Sequence, residues 1–131
     1  MAEHPDMQAV RKVMQTASAG DFAALQQLLT RDCVVHVAGS HPIAGEHKGQ
    51  DAVLDMVRRF REESNETVHA EPQQLFLDGR GHVIGVYRLT ADRKGRRHDA
   101  LGALHCTFVG GRIAGVEVYE QDLDQSDQFW S

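Results

Sequence analysis

The chain has 131 residues, about the length of one domain and enough to build a self-sufficient core. Fourteen Lys and Arg against nineteen Asp and Glu leave a net charge of −5, which argues against a nucleic-acid binder and against a polybasic membrane anchor. Hydrophobic residues at 41% and charged residues at 25% exclude a disordered tail, and no apolar run approaches the ~20 residues of a membrane span.

The first helix is expected where Met7, Val10, Met14 and Ala17 recur on one face, with Val13 alongside. Pro5 suits its first turn and Gly20 its end. Asp21 is placed to cap a second helix carrying Phe22, Leu25, Leu28 and Leu29 on one face and closed by Thr30-Arg31-Asp32. Residues 33–37, Cys-Val-Val-His-Val, read as a short strand. A loop from His41 to Gly49 follows, and residues 50–63 return to a helical period through Val53, Leu54, Met56, Val57 and Phe60. Four strands are expected near 67–77, 82–91, 98–109 and 112–121. Asp78–Gly81, Asp92–Arg96 and Gly110-Gly111 separate them as hairpin turns. The Arg93–Arg97 run reads as a solvated hairpin tip, and the tail closes on an aromatic pair, Phe129-Trp130, expected to dock on the body.

Three helices followed by an antiparallel meander give an α+β fold, with the helices packed on one face of a curved antiparallel sheet over a single domain, 1–131. On residues 83–91 one face carries Val83, Gly85, Tyr87, Leu89 and Ala91, while the other carries Ile84, Val86, Arg88 and Thr90. A sheet wet on one side should alternate cleanly, so the partly apolar second face suggests a homodimer formed through it. Cys33 and Cys106 lie in apolar surroundings without a metal-type spacing and read as reduced thiols. With no secretory pattern at the start of the sequence, a cytoplasmic location is expected.

Several segments together resemble the NTF2-like, or ketosteroid-isomerase-like, superfamily and its SnoaL-like group. They are Ala19-Gly20-Asp21-Phe22, the stretch Val34–Gly39, Pro42–Gly49 leading into Ala52-Val53, Gly111-Arg112-Ile113, Tyr119 with Asp122, and Phe129-Trp130. The resemblance implies a cone-shaped roll with an apolar cavity between the helices and the concave sheet. Such a cavity suits a small flat hydrophobic ligand, with no cofactor and no metal. The wall is then expected to include Val13, Val37, His41, Phe60, Leu89, Leu104, Val116 and Val118.

The resemblance also tests the chemistry. The tyrosine, base and acid positions of ketosteroid isomerases fall on Val13, Val37 and Leu104, and aliphatic side chains can neither take a proton nor donate a hydrogen bond. The Arg-x-Asp pair of limonene-epoxide-hydrolase-like enzymes falls near Arg88 but meets Thr90. SnoaL-like cyclases place an aspartate at the end of the last strand as base, and Asp122 is the matching residue, equally suited to capping the tail. By alternation Glu120 shares a face with Val116 and Val118, where a carboxyl at an apolar rim would have a raised pKa; the competing reading leaves it in solvent. Tyr87 faces inward and is the candidate hydroxyl donor, or else a core tyrosine. His36, His41 and His47 have no strong metal spacing, and His105 is expected on the outer face.

Three functions remain open. The first is an enzyme of the isomerase or cyclase type, using Asp122 or Glu120 as base and Tyr87, or a histidine of the cavity mouth, as donor. The second is a non-catalytic binder of a small apolar ligand. The third is a dimeric interaction domain. Nucleic acid and membrane are not expected partners.

Overall fold

The computed structural model describes residues 3–131. The chain opens with α1 (Pro5–Ala19), started by His4 Nδ1 accepting from the Asp6 N–H at 3.0 Å and stopped by Gly20 at φ 73°. α2 (Phe22–Gln27) is capped by the Asp21 carboxylate, which accepts from the Ala24 N–H at 3.2 Å. Then come β1 (Leu29–Val37), β2 (Gly45–Lys48) and α3 (Gln50–Glu63). The meander follows as β3 (His69–Leu77), β4 (His82–Arg93), β5 (Arg96–Val109) and β6 (Arg112–Glu120), and α4 (Leu123–Trp130) closes the chain.

The three hairpins form where glycine permits positive φ: Gly79 and Gly81, Gly95 beside Lys94, and Gly110 with Gly111. Asp78 reinforces the first turn, its carboxylate accepting from the Arg80 and His82 N–H groups at 2.7 and 3.2 Å.

The six strands make one sheet in the order β2-β1-β6-β5-β4-β3. β1 pairs antiparallel with β2 but parallel with β6, so the sheet is mixed. This corrects the expected antiparallel sheet. Alternation identifies a strand and its buried face but carries no sign of partner direction. The helix arrangement is corrected too. Two strands separate α2 from α3, and the tail is a fourth helix. The second helix ends at Gln27, and Leu29 already belongs to β1, because an apolar Leu-Leu pair fits either period. The expected loop 41–49 contains β2, whose Glu46 and His47 pair with His36 and Val35.

The core lies between the helices and the concave face of the sheet. α1 packs on β3 and α3 on β1. Val10, Met14, Leu25, Cys33, Val35, Val53, Val83 and Ile113 are buried there. A second cluster joins Ala91, Phe129 and Trp130 beside Phe60 and Leu89, which is how α4 docks.

One residue of the basic run departs from the hairpin-tip reading. Arg93 is 6% exposed. Its guanidinium donates to the Phe129 and Ser131 carbonyls at 2.9 and 2.6 Å and to Glu63 at 3.0 Å. Those partners lie 30 to 38 residues away, so no local pattern marks Arg93 as buried. No helix is long and apolar enough to cross a membrane among the described residues.

Candidate functional site

Helices and sheet enclose a cavity of about 200 Å³. α1 contributes Val13, Met14 and Ala17, and α3 contributes Val53, Met56, Val57 and Phe60. From the sheet come Val35 and Val37 of β1, Tyr87 and Leu89 of β4, Leu104 of β5, and Val116, Val118 and Glu120 of β6. Trp130 of α4 completes this part of the wall, its ring edge-on to Phe60 at 4.8 Å between centroids. Seven of the eight expected wall residues are therefore brought together.

The eighth, His41, is not on the wall. Its Nδ1 accepts from the Ile43 N–H at 3.2 Å, which turns the ring into its own loop. It is buried behind Phe60, with ring centroids 6.1 Å apart. Burial pushes its pKa down, Asp127 acts in the opposite direction, and Arg59 adds to the lowering.

Polar groups on the wall are few: Ser18, Tyr87 and Glu120. Ser18 is committed to structure, its hydroxyl accepting from the Ala70 N–H at 3.0 Å. Tyr87 and Glu120 are related by the sheet register. Tyr87 of β4 stands opposite Gly102 of β5, and Gly102 stands opposite Glu120 of β6. The Tyr87 ring lies over Gly102, where an added Cβ would sit 2.6 Å from both Cζ and the hydroxyl oxygen. The missing side chain at 102 gives the phenol its place in the row between β4 and β6. Among the described residues the Tyr87 hydroxyl makes no hydrogen bond within the protein, and neither does the Glu120 carboxylate.

The electrostatics follow from this placement. Burial pushes the Glu120 carboxyl from 4.5 up to about 7, and the like charge of Asp127 adds to the rise. Burial, and then the charge of Glu120, also push the Tyr87 phenol above its usual range. At neutral pH the wall thus carries a carboxyl that can hold or release a proton beside a protonated phenol.

Asp122 is not on the wall. It is exposed and caps α4, its carboxylate accepting from the Gln125 N–H at 3.0 Å. Of its two readings, the geometry provides the cap: Glu120 ends β6 facing inward, and the chain then turns out into α4. The three histidines do not converge. His36 is exposed, and His47 Nε2 pairs with the Ile43 carbonyl at 2.8 Å. Cys33 and Cys106 are free and buried, and burial raises both thiol pKa values, that of Cys106 to about 12.

Three contributors escaped sequence reasoning. Gly102 looked like any strand glycine. Trp130 was legible as a docking residue but not as part of the wall. Asp127 accepts hydrogen bonds from Ser40, 87 residues away, which no local pattern signals.

The SnoaL-like domain family model matches residues 10–116. Rv0034, an uncharacterized protein of Mycobacterium tuberculosis, is 30% identical over 131 residues, all of both chains. Bal32a, from a soil-derived mobile gene cassette, superposes with a TM-score of 0.94 at 30% identity, covering 97% of each chain. An NTF2-like protein of Burkholderia xenovorans superposes with a TM-score of 0.82 at 19% identity, over 100% of this chain and 99% of the other.

Proposed function

Because the chain belongs to the SnoaL-like domain family, we propose that it is a proton-transfer enzyme of the isomerase or cyclase type, acting on an enolisable apolar substrate in its cavity. Glu120 is the base. Its carboxylate takes the acidic proton next to a substrate carbonyl, and the Tyr87 hydroxyl donates to the carbonyl oxygen as negative charge gathers there. Glu120 then returns the proton to another carbon, or the enolate carbon adds to a second carbonyl in an aldol closure and Glu120 returns the proton to the alkoxide that forms. The row Tyr87–Gly102–Glu120 on the cavity wall carries this reading. A carboxyl with a pKa of about 7 is matched to taking and returning a proton near neutrality. The aliphatic wall confines the site to apolar compounds and strengthens the two polar contacts.

The first experiment is a thermal-melt screen against flat enolisable compounds, followed by turnover assays on any that bind. Glu120→Gln is expected to lose about 100-fold or more in turnover. Tyr87→Phe is expected to lose about 100-fold, as for removal of one oxyanion donor. A compound converted equally fast by Glu120→Gln and the parent protein would overturn the assignment.

One observation favours a second reading, a non-catalytic binder: Val13, Val37 and Leu104 put aliphatic groups at three wall positions. Under that reading ligands raise the melting temperature but emerge unchanged. We also propose a homodimer through the outer sheet face, where Phe76, Ile84, Leu101 and Tyr119 are exposed. A cytoplasmic location accords with the two free cysteines.

A further inference from the structure

α4 is fastened over the cavity at two points. At its C-terminal end the Arg93 guanidinium holds the Phe129 and Ser131 carbonyls. Near its middle the Asp127 carboxylate accepts from the Ser40 backbone N–H at 2.8 Å and from the Ser40 hydroxyl at 3.0 Å. The loop is shaped to receive that carboxylate. Gly39 has φ +110°, and a Cβ there would lie 2.4 Å from Asp127 Oδ1. The carboxylate therefore fills the space a side chain at 39 would need. With both fastenings made, Trp130 is 2% exposed and lines the cavity.

The same fastening fixes a charge. The Ser40 N–H, with help from the Ser40 hydroxyl and His41, holds the Asp127 carboxyl below its usual range, so it stays ionised at neutral pH. Two groups act on or answer to the Glu120 carboxyl: Tyr87 from β4 and Asp127 from α4. Beyond Asp127 stands His41 of the β1–β2 loop, with Arg59 of α3 beside it.

We propose that Asp127 is a positioning residue of the cavity: anchored at Gly39-Ser40, it seats α4 and Trp130 over the pocket and presents a fixed negative charge to Glu120. The helix that covers the ligand would then also set the proton affinity of the group that works on it. The functional meaning rests on the reading of Glu120 as the base. The physical claim does not, and it is tested on the ligand-free protein.

Two readouts separate the charge from the seat. Trp130 is the sole tryptophan, so its fluorescence reports the docking of α4. Carbon-13 NMR of labelled glutamate, assigned with Glu120→Gln, reports the titration of Glu120. Asp127→Asn removes the charge while its amide oxygen can still accept from the Ser40 N–H. It is expected to lower the Glu120 midpoint, with Trp130 emission unchanged. Asp127→Ala removes the anchor and is expected to shift Trp130 emission to the red and raise its quenching by acrylamide. Ser40→Ala, which keeps the backbone N–H, should give an intermediate rise and guards against a poorly folded Asp127→Ala. A Glu120 midpoint identical in Asp127→Asn and the parent protein would overturn the charge coupling. Unchanged Trp130 shielding in folded Asp127→Ala or in Ser40→Ala would overturn the seat. If proton transfer fails while these shifts appear, the coupling stands and the enzymatic reading falls.

Discussion

Burying Glu120 costs the fold stability once its carboxyl must ionise. Its carboxyl binds a proton more tightly folded than unfolded, with a folded pKa of about 7 against an ordinary 4.5. Below 4.5 both states are protonated and nothing is lost. As pH rises from 4.5 to 7 the unfolded chain ionises first, so the folded state loses ground, and above 7 the deficit is constant. Partial exposure limits that deficit to about 2 kcal/mol. Glu120→Gln should therefore melt higher than the parent protein at pH 8, with the gain vanishing below pH ~4.5. Parallel melting profiles across that range would show that Glu120 titrates normally. Gly102 makes a second claim at this scale. In Gly102→Ala the new methyl must drive the Tyr87 ring into the cavity, at a cost of about 1 kcal/mol because open space lies beside it. Denaturant unfolding measures that cost, and affinity for any cavity ligand should fall with it. Strand alternation put Glu120 on the face of Val116 and Val118 and turned Tyr87 inward, but it left open whether the twist of the strand carries Glu120 out to solvent. It could not choose between two roles for Asp122, because that choice depends on where the chain turns after β6.

The consequence of that turn is read in α4. Asp122→Ala should cost about 1 kcal/mol in unfolding free energy, as for loss of an N-cap, and leave turnover of a cavity substrate essentially unchanged. A loss of turnover larger than the change in folded population would return Asp122 to the chemistry. At the scale of elements, periodicity and glycine placement located both N-terminal helices, α3 and the three meander hairpins. They failed where geometry depends on distant partners. β2 is only four residues long and acquires its strand character from pairing with β1. The parallel partnership of β1 and β6 leaves no mark on either strand. Arg93 read as solvated because Glu63 and the carbonyls of α4 reach it only after folding.

The outer sheet face, proposed above as the dimer interface, carries several exposed apolar side chains. Phe76 and Ile84 are 56% and 53% exposed in neighbouring register positions, with Tyr119 at 54% further across the sheet. The Arg88–Asp99 pair on the same side, at 2.8 Å, supplies polar contacts at its margin. Sedimentation at micromolar concentration should give a dimer, and Ile84→Asp should shift it toward monomer without lowering the melting temperature of the monomer. A monomeric parent protein would remove the interface.

The parallel pairing of β1 with β6 also sets an order of assembly. Leu29 aligns with Ile113 and Val37 with Val118, so more than 80 residues separate the two halves of that ladder. During synthesis the inner edge of β1 must wait, unpaired, until the last strand emerges. The β3–β4–β5 hairpins can meanwhile form on their own. A newborn chain halted before residue 112 is then a partly built sheet with an unsatisfied β1 edge, the species a chaperone would have to shield.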